Sequence, residues 1–153
     1  MGAWFLDSSA IVKAYIQEIG SAWVGSLLGS PGEQLLAARV MSAEVISAFA
    51  RSAKGGKMTA PQHAVASASF RFHFYNRLIV IEITPSVVDL AMQVGEKHAL
   101  RGYDSIQLSA ALSANQGRVA SGLPALTFVS SDADLNAAAS AEGLTVDNPH
   151  SHS

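Results

Sequence analysis

Short apolar runs alternate with longer helical stretches along almost the whole chain, and this alternation constrains the fold more than any other feature. Trp4-Phe5-Leu6, Gln34 to Ala38, Leu78 to Ile83, Leu126 to Val129 and Leu144 to Val146 read as strands. Between them, apolar residues recur at helical spacing. Ile11, Val12, Tyr15 and Ile16 share one face behind Ser8 or Ser9 as cap. Helices also read from Ser21 to Leu28, Ser42 to Lys54, Thr59 to Asn76, Pro85 to Leu100, from Asp104 through Leu112, and from Asp132 to Ala141. Strands that alternate with helices predict a mainly parallel sheet covered on both faces, an α/β chain built as a three-layer α/β/α sandwich. Ligands of such open sheets bind outside the carboxyl ends of the strands.

The length of 153 residues suits one domain with a full core. The reading assigns residues 1–148 to that domain and leaves 149–153, Pro-His-Ser-His-Ser, as a flexible tail. With 49% hydrophobic and 14% charged residues, the composition is that of a globular protein rather than a disordered one. The absence of cysteine excludes disulfides and thiolate metal sites. No signal peptide and no membrane-spanning stretch is visible, so a cytoplasmic location is expected, with no membrane partner. A net charge of -2 counts against nucleic-acid binding by charge alone, less so where cations offset clustered acids.

Four of the twelve acids occupy one kind of position. Asp7 follows the first strand, Glu44 lies in the first turn of the helix after the second, Asp104 starts a helix, and Asp132 stands between the fourth strand and its helix. Acids at helix starts are favoured as caps and by the macrodipole, and Asp104-Ser105-Ile106-Gln107 has the form of a capping box. An acid ending a buried strand, as Asp7 does, is less easily explained that way. Carboxylates within about 5 Å repel by roughly 3 kcal/mol per pair at an effective dielectric near 20. Such a cluster takes up protons or binds a hard cation, Mg²⁺, Ca²⁺ or Mn²⁺. A cation with open positions suits phosphodiester hydrolysis.

Leu6-Asp7-Ser8-Ser9-Ala10 with Lys13, Ser42-Ala43-Glu44-Val45, the run from Leu100 to Ala111 around Tyr103-Asp104, and Phe128-Val129-Ser130-Ser131-Asp132 together resemble the four motifs of PIN-domain proteins. The bare domain length is similar to VapC-type toxins of toxin–antitoxin pairs. The resemblance implies a PIN-like fold and a Mg²⁺- or Mn²⁺-dependent endoribonuclease, with Asp7, Glu44, Asp104 and Asp132 as catalytic, metal-binding acids. It implies an RNA substrate, a homodimer and a cognate antitoxin that inhibits the enzyme. Ser130 matches a Ser/Thr position near the metal, suited to orienting a carboxylate or water. Asp134 is a second acid in the last motif, read as a surface helix acid. A PIN fold that binds RNA or protein without cutting it is the alternative.

Arg51, Lys54 and Lys57 read either as phosphate contacts or as solvated helix-end charges. The run from Phe70 to Arg77 reads as core, as a protein interface, or as a base-stacking surface. A haloacid-dehalogenase-type phosphatase would need an acid where Ser9 stands. A receiver domain would need paired acids in that loop, and a metal-dependent adhesion module a serine where Ile11 stands.

Overall fold

The computed structural model describes residues 2–153. In chain order the elements are β1 (Ala3–Leu6), α1 (Ser8–Ile11) running on into a 3-10 turn (Val12–Ala14), α2 (Ser21–Gly29), β2 (Gln34–Ala38), α3 (Met41–Lys54), α4 (Ala60–Asn76), β3 (Ile79–Ile81), α5 (Pro85–His98), α6 (Gly102–Ala120), β4 (Thr127–Val129), α7 (Ala133–Ala141) and β5 (Thr145–Asp147), with a final 3-10 turn at Pro149–Ser151. The five strands form one sheet in the order β3-β2-β1-β4-β5, and every pairing is parallel. The expected three-layer α/β/α architecture is therefore present, with a wholly parallel sheet. Among the described residues, no helix is long and apolar enough to cross a membrane.

Strand periodicity splits the core into two layers. Phe5, Leu36, Ala38 and Phe128 point to the face covered by α5, α6 and α7, where they meet Val87, Val94, Leu108 and Leu135. Leu6, Leu35, Ala37 and Val129 point to the other face and meet Ile11, Leu27, Met41, Phe49 and Phe70. Phe5 and Phe128 are register partners and stack at 5.8 Å, which locks β1 to β4 at the centre of the sheet. From β1 the chain crosses to β2 on one side, and β4 lies on the other. The crevice beyond the carboxyl ends of β1 and β4 is thus the switch point of this sheet.

Several boundaries differ from the sequence reading. Leu78 to Ile83 reads as a full strand, yet only Ile79–Ile81 pairs, because β3 is an edge strand with a single neighbour. Asp7, not Ser8 or Ser9, caps α1, its side chain accepting from the Ala10 N–H. Asp104 does not open its helix: α6 starts at Gly102 with Arg101 as cap, so the capping-box reading fails. Thr59 and Gln62 do form a capping box at the start of α4. On the far face of the sheet, α5 and α6 pack so closely that a Cβ at Gly95 would lie 2.6 Å from Ser105 Oγ.

Within residues 149–153, expected to be loose, Pro149, His150 and His152 contact the body of the domain, while Ser151 and Ser153 are exposed. Pro149 is buried, and its carbonyl oxygen lies 2.4 Å from where a Cβ on Gly20 would sit. Gly20 has φ +89°, a conformation that favours glycine, so this residue allows both the turn and the close approach. His152 stacks on Trp23 at 3.9 Å and contacts Asp147, while His150 lies 3.1 Å from the Lys13 ammonium. Lys13 is almost fully buried and is paired with Glu18 at 2.9 Å. Buried contacts, rather than chain position, decide whether a terminus is held.

Candidate active site

Asp7 leaves β1 at the switch point, its N–H bonded to the Val129 carbonyl at 3.1 Å. Its carboxylate is buried, and three donors hold it. Oδ1 accepts from the Ala10 N–H at 2.9 Å and from the Ser9 hydroxyl at 2.7 Å, and Oδ2 accepts from the Ser130 hydroxyl at 2.6 Å. Burial pushes the carboxyl up to about 6. The bonds from Ser130, Ser9 and Ala10 oppose that rise, and the charge of Asp104 adds to it.

The same two hydroxyls reach the neighbouring loop. Ser9 Oγ accepts from the Ser131 N–H at 2.9 Å, and Ser130 Oγ accepts from the Asp132 N–H at 3.0 Å. Each serine therefore donates to Asp7 and accepts from the β4–α7 loop, which fixes the spacing of the two acid-bearing loops. The sequence reading places Ser130 near the site but misses Ser9, which it treats as a helix cap. Asp132 caps α7 through Oδ1, with Asp134 N–H at 2.9 Å and Leu135 N–H at 3.0 Å, which leaves Oδ2 for another partner. Asp134 itself is exposed.

The remaining two acids come from helices. Asp104 stands in the first turn of α6 and is half-buried. Its carboxyl is raised by burial first and by repulsion from Asp132 and Glu44, with Arg101 pulling the other way. Asp104 thus feels Asp132 and Glu44, and Asp7 feels Asp104, so all four acids share one field. Glu44, in the first turn of α3, has a buried Oε2 with no hydrogen-bond partner. Tyr103 adjoins Glu44 and Ser8, and its hydroxyl accepts from Gln107 Nε2 at 2.8 Å; burial pushes the phenol far up, so it stays protonated. The sequence reading places Tyr103 and Gln107 in the third motif, and Gln107 in a capping box that does not form, but gives neither a part in the site.

The side chains offer hard oxygen donors alone, a buried carboxylate oxygen without a partner, and mutual repulsion. All three fit a hard divalent cation. Among the described residues, however, no three His, Asp or Glu side chains lie close enough together to form a ready coordination shell.

A sequence model of the PIN domain matches residues 4–140. This chain belongs to the PIN-domain family. Over 142 residues the PIN domain is 31% identical to Ribonuclease VapC45 of Mycobacterium tuberculosis, covering 93% of this chain and 92% of that protein. Its fold is similar to that of PAE2754 from Pyrobaculum aerophilum, with a TM-score of 0.66 at 19% identity over 98% of this chain and 85% of the other. It is also similar to a chain of VapBC2 from Rickettsia felis, solved bound to a DNA fragment from their promoter. There the TM-score is 0.63 at 15% identity, over 95% of this chain and 98% of that one.

Proposed function

We propose that this PIN domain is a Mg²⁺- or Mn²⁺-dependent endoribonuclease, the toxin of a toxin–antitoxin pair that works in the cytoplasm as a homodimer and is inhibited by a cognate antitoxin. The observation that carries the reading is the buried Asp7 carboxylate, clamped by Ser9 and Ser130 at the switch point and electrostatically joined to Glu44, Asp104 and Asp132. The relative named a ribonuclease supports the reaction class, and the toxin–antitoxin complex among the structural neighbours supports the partner.

Asp7, Glu44, Asp104 and Asp132 are the residues to hold the cation. When bound, it supplies Lewis-acid polarisation of the phosphodiester and an acidified water. Ser9 and Ser130 keep the Asp7 carboxylate oriented without a rotamer search, and they hold the Asp132 loop in step with it. Glu44 Oε2, which lacks a partner, is free to accept a hydrogen bond from the attacking water. Arg101, exposed and acting on Asp104, is available to a substrate phosphate.

Purified protein free of antitoxin should cut a cellular RNA pool at a limited set of sites with Mg²⁺ or Mn²⁺, and not in excess EDTA. The cuts should disappear with Asp104→Ala. Folded protein that never cleaves in metal would point instead to a PIN module that binds without cutting.

A further inference from the structure

The charge of this chain is unevenly distributed. Residues 39–77, which span α3 and α4, hold six of the ten lysines and arginines but a single acid, Glu44. The chain as a whole is at -2, so this hairpin is a basic arm on an acidic body. Arg39 is paired with Glu82, and Arg77 is engaged by the carbonyls of Leu27, Leu28, Ser30 and Glu33. Arg51, Lys54, Lys57 and Arg71 are exposed and form no ion pair among the described residues.

The arm also carries exposed aromatics. Phe72 is 64% and Tyr75 74% exposed, unusual for rings of that size. Arg71 and Tyr75 are four residues apart and share a face of α4. With Ser42, Ala43, Ile46 and Phe74 they line a cavity of about 200 Å³ between α3 and α4. That is smaller than the roughly 300 Å³ and above of a drug-sized ligand site and suits a single ring. Ser42 and Ala43 immediately precede Glu44, on another face of α3. The cavity is thus about one helix diameter, roughly 10 Å, from the acids.

We propose that the α3–α4 hairpin is the arm that holds single-stranded RNA, with the cavity beside Ser42, Arg71 and Tyr75 taking one unstacked base of the substrate. The inference rests on the reading above that RNA is what this site cuts. Tyr75 supplies a π face, and the Arg71 guanidinium supplies either a second stacking plane or a phosphate contact. Lys54 and Lys57 at the hairpin tip extend the phosphate track. A second copy of the chain is a poorer occupant. In a two-fold interface the same patch meets itself, and four unpaired cations would face four.

The test uses a fluorescein-labelled, mixed-sequence single-stranded RNA of about one arm's length, titrated in EDTA so that nothing is cut, and then kinetics in Mg²⁺. Tyr75→Ala should weaken RNA binding about 5- to 100-fold, while Tyr75→Phe, which keeps the ring, should move it less than about twofold. Arg71→Ala should lower the salt slope of binding by about one phosphate. In Mg²⁺ the Tyr75→Ala loss should fall on KM rather than kcat. If wild type cleaves RNA and these variants bind and cleave like it, the arm assignment is overturned and the nuclease reading stands. If wild type binds RNA through Tyr75 and Arg71 but never cleaves, the nuclease reading falls instead. A shift of the Tyr75→Ala protein to a smaller assembly, with RNA affinity intact, would assign this face to a protein partner and overturn the proposal.

Discussion

The two halves of the acid site are built differently. On the strand side, Asp7 and Asp132 are wired into the backbone: every donor of the Ser9–Ser130 pair is used, and both loops are fixed before anything binds. On the helix side, Glu44 keeps a buried oxygen without a partner, and the Asp104 carboxyl is pushed above its ordinary value by burial and by its acidic neighbours. One half is preorganised and the other is electrostatically incomplete. The strand side can therefore serve as a template, whereas the helix side gains most when positive charge arrives.

Four changes would break or sharpen this contrast. The largest effect is expected from the acids themselves. Asp7→Asn and Asp104→Ala should each lower metal-dependent RNA cleavage by more than the ~100-fold that marks the upper end for an outer partner. Single-turnover rates read this, and residual cleavage near wild type in either variant would remove that acid from the site.

The next effect is one of pH. The unfolded Asp7 carboxyl loses its proton near 3.8, while the folded one keeps it to about 6. Between those values the unfolded state binds fewer protons, so metal-free stability falls as pH rises through the window, by about 3 kcal/mol, and is level above it. Asp104 adds to the fall in the same direction. Urea melts from pH 4 to 7 measure this; Asp7→Asn should flatten the decline, and saturating Mn²⁺ should offset it above pH 6. A metal-free protein equally stable across the window would contradict the account.

Ser130→Ala follows. It strips a donor from Asp7 and an acceptor from the Asp132 N–H, so a loss of about 1–3 kcal/mol in stability and about 10- to 100-fold in Mn²⁺ affinity is expected. Calorimetric titration of the folded variant separates the two, and Ser9→Ala should move both in the same direction. The smallest effect belongs to Asp134→Asn, an exposed helix position. It should change stability by less than about 0.5 kcal/mol and cleavage by less than about twofold; a larger loss would bring Asp134 into the site.

The sequence exposes the acids more clearly than their supports. Asp7, Glu44 and Asp132 are legible because each follows a strand in a βα alternation, where topology alone brings them to one rim. Asp104 is less legible: a helix start is its one positional signal, the helix in fact begins two residues earlier, no strand points to it, and the motif resemblance carries most of its assignment. Ser9 and Ser130 act by linking loops 121 residues apart, and nothing local distinguishes such a serine from a helix cap. Lys13 is named in the sequence only as part of the first motif, and nothing local shows that Glu18 and His150 enclose it, one of them from the far end of the chain. The shortening of β3 has the same origin, because pairing at a sheet edge depends on a neighbour that the strand's own residues do not encode.

The tight contact of α5 with α6 has a consequence for genetics. Gly95 lies on α5 and belongs to none of the acid-bearing elements, but a side chain there would press on Ser105, the residue after Asp104, whose hydroxyl bonds to the Arg101 carbonyl. Position 95 would therefore behave as a hidden active-site locus. In an unbiased selection for inactive alleles, substitutions of this glycine should be recovered among those of the acids, in chains that still fold and accumulate.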